Sequence, residues 1–101
     1  MSRRFAIAAG NASASDRDLI TTFLSGKGWK LWHWLPDLWL VVDMPDECFP
    51  QSLYNDIVEH TKITPQTHIV IFEIASDPFL YGGMANPAAW PWLTEIGGKT
   101  G

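Results

Sequence analysis

A chain of 101 residues suits a single domain with a modest core and no need of disulfide staples. Hydrophobic residues at 47 % against 18 % charged describe a globular chain and exclude disorder, and the single cysteine, Cys48, excludes an internal disulfide. The formal charge of −4, with lysines and arginines scattered beyond Arg3-Arg4, weighs against strong phosphate binding and leaves at most a local patch of Arg3, Arg4, Lys27 and Lys30.

Arg4 to Ala9 is short and apolar and precedes the turn pair Gly10-Asn11, which predicts a first strand. It is too short for the apolar region of a signal peptide. Ser13, Ala14 and Ser15 then offer helix-capping oxygens, with Asp16 and Asp18 in the first turn. Leu19, Ile20, Phe23 and Leu24 mark one apolar helix face, and Gly26 and Gly28 supply the stop.

Four of the six tryptophans follow in one run, Trp29 to Trp39. Lys30, His33, Pro36 and Asp37 interrupt it, so it does not read as a membrane span. Aromatic and β-branched residues on both sides of Pro36-Asp37 predict two strands joined by a turn. Proline excludes the primed two-residue turns, which favours a longer loop built on a type I turn. Met44 to Phe49 reads as a loop. Pro50 suits the first turn of a second helix, carried by Leu53, Ile57 and Val58. Thr61 to Thr67 reads as a loop, and His68 to Ala75 as a fourth strand of high β-propensity.

The order strand, helix, strand, strand, helix, strand predicts an α+β fold, a ferredoxin-like βαββαβ sandwich with both helices on one face of an antiparallel sheet. Residues 1–101 form one domain in this reading, with a core of about 4–75 and a packed tail, 76–96. Tryptophan occurs on both parities of the central strands, so the second sheet face also needs a cover: the tail, a second subunit or a ligand. Phe79, Leu80, Tyr81, Trp90, Trp92 and Leu93 make the tail too apolar for a disordered end. Asn86-Pro87 can start a short helix that Pro91 limits, and Gly97 to Gly101 reads as loose.

No strong catalytic motif is present. Gly97-Gly98-Lys99-Thr100 lacks the upstream glycine, the strand and the helix of a phosphate-binding loop. His33, His60 and His68 lie on different elements, without the spacing of a zinc site. His33 reads first as a half-buried structural histidine, and His60 as a cation closing a helix. Asp43, Asp46 and Asp77 near strand ends are the alternative catalytic residues, with Mg²⁺ or Mn²⁺ as the implied ion. Trp32, His33, Trp34 and Trp39 are the candidate binding residues, since aromatics of this density stack bases or build a core or an interface. Cys48 has no base near it in sequence and reads as an idle thiol.

Three stretches resemble the SinR-like proteins, small bacterial and phage proteins related in fold to the CRISPR-associated small ribonuclease-like subunit of the spacer-acquisition complex. They are Phe5 to Ala9, Trp32-His33-Trp34-Leu35-Pro36-Asp37-Leu38-Trp39-Leu40-Val41, and Thr67 to Ile74 before a Trp-rich end at Trp90 to Leu93. The resemblance spans residue 4 to about residue 93. It implies a ferredoxin-like homodimer, and the single cysteine with no visible signal peptide makes the cytoplasm the expected location. In the CRISPR-associated relatives an aspartate closing the first strand is proposed to bind a divalent metal at the dimer axis. Gly10 stands at that place here, which removes the metal-binding carboxylate. The expectation is therefore a non-catalytic dimeric binding or regulatory module without cofactor, with a protein as possible partner. A divergent metal-dependent nuclease is the alternative, and a phage or host-defence accessory protein a further one. Replacing Trp34 or Trp39 with alanine is expected to cost about 3–5 kcal/mol if the ring is buried; urea denaturation measures it, and an unchanged midpoint marks an exposed ring.

Overall fold

The computed structural model describes residues 3–63, 67–75, 79–83, 87–95 and 98–100, apart from the side chains of Trp34 and Phe79. Strands β1 (Arg3–Gly10), β2 (Lys30–Leu35), β3 (Leu38–Met44) and β4 (His68–Glu73) form one sheet, ordered β2-β3-β1-β4. Every neighbouring pair in it is antiparallel. Helices α1 (Ala14–Gly26) and α2 (Pro50–Thr61) connect β1 to β2 and β3 to β4. The tail adds β5 (Phe79–Tyr81), α3 (Ala89–Glu95) and β6 (Gly98–Thr100). The fold is α+β, and no described helix is long and apolar enough to cross a membrane.

The helix ends follow local chemistry. Ser13 caps α1 by accepting a hydrogen bond from the Asp16 amide at 3.0 Å. Gly28, at φ 76°, takes the left-handed turn into β2. Pro50 opens α2, where its missing N–H is not needed. The cap there is Phe49, which has no side-chain acceptor. Ser52 substitutes: its hydroxyl accepts from the Phe49 amide and donates to the Phe49 carbonyl, both at 2.9 Å. Lys62, at φ 53°, ends the helix in a left-handed turn and donates its amide to the Val58 carbonyl.

The hairpin differs from expectation in its turn. Only Pro36 and Asp37 separate β2 from β3, and Leu35 pairs with Leu38. Neither turn residue takes a positive φ, so the turn is not a primed one. A turn of that hand splays the strands. The mismatch is taken up by a register shift between Trp32 and Leu35.

A second irregularity lies at the end of β3. Val41 pairs with Phe5 and Met44 with Arg3, so β3 carries one residue more than β1 across this stretch. Asp43 absorbs it at φ 60°, a conformation that aspartate tolerates better than most side chains. The extra residue turns Met44 back onto the same face as Trp39 and Val41. Met44 therefore ends a strand and is buried, where a loop was expected.

Two cores result. Under α1 and α2 lie Phe5, Ile7, Ile20, Leu24, Trp39, Val41, Met44, Leu53 and Ile57. Of the apolar helix positions, Leu19 and Val58 point outward. On the opposite face Trp32 and Leu40 pack against Ala89 and Leu93 of α3. The tail is thus one cover of the second face. Pro91 sits in the first turn of α3, where its ring and missing N–H are tolerated. Gly98–Thr100, expected to be loose, pairs in parallel with Phe79–Tyr81. Tyr81 stacks on Trp90 with ring centroids 5.7 Å apart. The α3 cover stops short of β4, leaving Val70 52 % and Phe72 61 % exposed. Leu93→Ala is expected to cost about 2–5 kcal/mol and to shift tryptophan emission to the red, because it opens the α3 contact over Trp32; unchanged emission and urea midpoint would disprove that packing.

Candidate binding surface

The aromatic hairpin is mostly interior. Trp39 is fully buried at the centre of the first core and donates its indole N–H to Thr21 Oγ1 at 2.9 Å. Trp32 is buried beneath α3 and donates to the Ala89 carbonyl at 3.4 Å. His33 is half-buried and stacks on Trp39, with centroids 4.7 Å apart and planes 6° from parallel. Its Nδ1 lies 3.0 Å from the Leu38 carbonyl. A carbonyl only accepts, so that nitrogen carries a proton and donates. The buried rings of Trp32 and Trp39 have no free face on which a ligand base can stack, and one face of His33 is taken by Trp39. The Trp34 side chain lies outside the described residues.

Among the described residues, neither Asp43 nor Asp46 belongs to a group of three potential metal ligands. Asp43 sits on the β3 bulge with Lys30 Nζ at 3.7 Å. Asp46, in the loop after β3, accepts from Arg3 through its main-chain carbonyl at 2.7 Å. Asp77 lies outside the described residues. Gly10 ends β1 beside His68; a Cβ there would meet His68 Cβ at 3.8 Å, an ordinary contact. Glycine at this place answers no steric demand, and a side chain would fit. Among the described residues only Asp56, Glu59 and His60 bring three potential metal-ligand atoms within 4.8 Å of one another. All three are exposed on α2, and their i, i+3, i+4 spacing brings any such side chains together. His60 donates Nδ1–H to the Asp56 carbonyl at 2.8 Å.

Arg3 is engaged on three sides. It meets Glu73 through Nε and Nη2 at 2.9 and 2.8 Å, reaches the Asp46 carbonyl, and lies 4.4 Å over the Phe49 ring. One side chain thereby ties the start of β1 to the end of β4 and to the approach to α2. Arg3 and Lys30 stand at the same end of the sheet, each beside a carboxylate, which lowers the positive potential of the expected patch. Burial pushes the Cys48 thiol above its usual range, against reactivity.

One buried polar tie was invisible in the sequence. Asp16, in the first turn of α1, accepts from Thr67 Oγ1 at 2.6 Å, 51 residues away. Both are buried. The pair pins the α1 N-terminus to the residue that enters β4. Beside β4 lies a pocket of 360 Å³, lined by Pro50, Gln51 and Tyr54 of α2 and by Ile69, Val70 and Ile71. Its walls are mainly apolar, and it carries no titratable group apart from the Tyr54 phenol.

The Arg3 hydrogen bonds, more than its charge alone, hold the Glu73 carboxyl below its ordinary 4.5. A carboxyl depressed in the folded state stabilises above its unfolded pKa, and that contribution is lost as pH falls through the folded value. Glu73→Gln is therefore expected to lower stability at neutral pH and to flatten its decline in acid; an acid-unfolding profile parallel to that of the wild type would refute it. Compared with protein-family models, curated proteins and solved structures, the chain matches none.

Proposed function

We propose that the chain is a ferredoxin-like binding or regulatory module, dimeric and without catalytic activity of its own. In this reading it is a relative of the SinR-like proteins that its hairpin resembles. The strand order β2-β3-β1-β4, with helical connections from β1 to β2 and from β3 to β4, supports the fold assignment. The observation that carries the functional reading is Gly10. The aspartate proposed to bind a metal in the CRISPR-associated relatives falls at this position, and glycine offers no ligand atom from a side chain although the space would admit one. Hard divalent ions need converging oxygen ligands. Asp43 faces Lys30, and Asp46 lies in the loop that Arg3 holds. The engaged tryptophans support the same reading: they build the two cores, which leaves recognition to apolar surface and to main-chain edges.

The test is a cleavage assay of the purified protein on single- and double-stranded RNA and DNA, with Mg²⁺, Mn²⁺ or EDTA. No cleavage in any condition is expected. Robust cleavage abolished by EDTA would overturn the proposal and make Asp43, Asp46 and Asp77 the first residues to replace with alanine.

A further inference from the structure

We infer that the outer edge of β4 is the dimer contact, pairing antiparallel with the same edge of a second copy so that Ile71 lies on the two-fold axis. This rests on the dimeric reading above for the number of copies alone: Ile71 pairs with Ile7 and lies three residue pairs from Gly10, so the contact differs from the axial one of the CRISPR-associated relatives.

The main chain sets the first condition. The Ile74 amide donates to the Arg4 carbonyl at 2.8 Å, in register with the β1–β4 ladder. Antiparallel pairing alternates, so His68, Val70 and Phe72 also turn their amides and carbonyls toward β1. Ile69, Ile71 and Glu73 turn theirs outward. Among the described residues no strand pairs with that edge. A row of alternating donors and acceptors is complementary to another extended strand.

The two edges of the sheet are guarded differently. β2 carries Lys30, has an irregular register and lies under α3. These are the usual protections against edge pairing. β4 reads His-Ile-Val-Ile-Phe-Glu, without proline or lysine, and pairs with β1 without a bulge. Its only carboxylate, Glu73, is already held by Arg3. A second copy of this net-negative chain can therefore approach here without opposing an unpaired charge.

Register selects the arrangement. The outward-facing residues must pair with one another, so the strand cannot overlap itself in full. With Ile71 on the axis, Ile69 meets Glu73 of the second copy and Ile71 meets its own counterpart, each pair exchanging two main-chain bonds. On the opposite face Val70 then lies against Phe72 of the second copy, and Phe72 against its Val70. These are the apolar side chains that α3 leaves bare, at 52 % and 61 % exposure. Placing Val70 on the axis instead would set Phe72 against His68 and lose that match. The side chains of Ile71 and Glu73 of the second copy enter beside the pocket under Tyr54 and Pro50.

Sedimentation velocity over a range of concentrations tests the pairing. The wild type is expected at twice the chain mass. Phe72→Lys, at an already exposed position, is expected at the chain mass with an unchanged circular dichroism spectrum. Ile71→Pro removes an amide that faces away from β1 and is expected to do the same. Val70→Cys with Phe72→Cys, in a Cys48→Ser background, is expected to oxidise to a covalent dimer, because facing residues of a non-hydrogen-bonded pair bring their Cβ atoms close. A wild type that stays monomeric throughout would overturn both this contact and the dimeric reading. A wild-type dimer that survives Phe72→Lys and Ile71→Pro, with no cross-link, would overturn the β4 contact alone and leave the dimer to another surface.

Discussion

A β-sheet has two faces, and in this chain both are apolar; the rest of the molecule is arranged around covering them. The helical connections from β1 to β2 and from β3 to β4 lay α1 and α2 on the same side. That side becomes the main core, with Trp39, Phe5 and Ile7 buried beneath Ile20, Leu24, Leu53 and Ile57. The other face has no connection left to shield it. The tail partly solves this with a seven-residue helix that lays Ala89 and Leu93 over Trp32 and Leu40. A helix of that length cannot span four strands, so the cover ends before β4.

Trp39 shows how a side chain that looks like a binding group becomes an architectural one. Its ring fills the space between the sheet and α1, its N–H is satisfied by Thr21, and His33 lies flat against it. The Trp39 N–H and the His33 Nδ1 each have a partner within the fold, as burial requires. Aromatic density in a short chain thus indicates how much volume a thin sheet must fill before it indicates a ligand.

Most of the main sheet was legible in local pattern. Apolar runs bounded by Gly10-Asn11, Pro36-Asp37 and Pro50 located β1, the hairpin and α2, and Ser13 marked the α1 cap. The illegible features depend on partners distant in sequence or on backbone irregularity. Nothing near Asp16 announces Thr67, and nothing near Trp32 announces Ala89. Met44 has the wrong parity for the core it joins. Only the extra residue at Asp43 brings it there, and strict alternation has no means of expressing a bulge. The turn erred for a related reason: proline did exclude a primed turn, but the strain went into the strand register rather than into a longer loop. For the candidate site, the sequence located Gly10 and the scattered aspartates. It could not tell an interior tryptophan from an exposed one, because residues on both parities of the hairpin are aromatic.

The β5–α3–β6 closure has a dynamic consequence. Its parallel strand pair joins β5 to β6 across α3, and α3 meets the main sheet through Trp32 of β2 and Leu40 of β3. Segments whose contacts are largely internal open as cooperative units at lower free energy than the global transition. Opening of this unit would hydrate Trp32, Trp90 and Trp92 while Trp39 stayed packed beneath α1. Trp32, Trp90 and Trp92 on one side and Trp39 on the other therefore form two spectroscopic populations, one reporting sub-global breathing of the tail and the other the loss of the whole fold. Amide exchange should divide along the same line, with β1 and β3 the slowest strands to open.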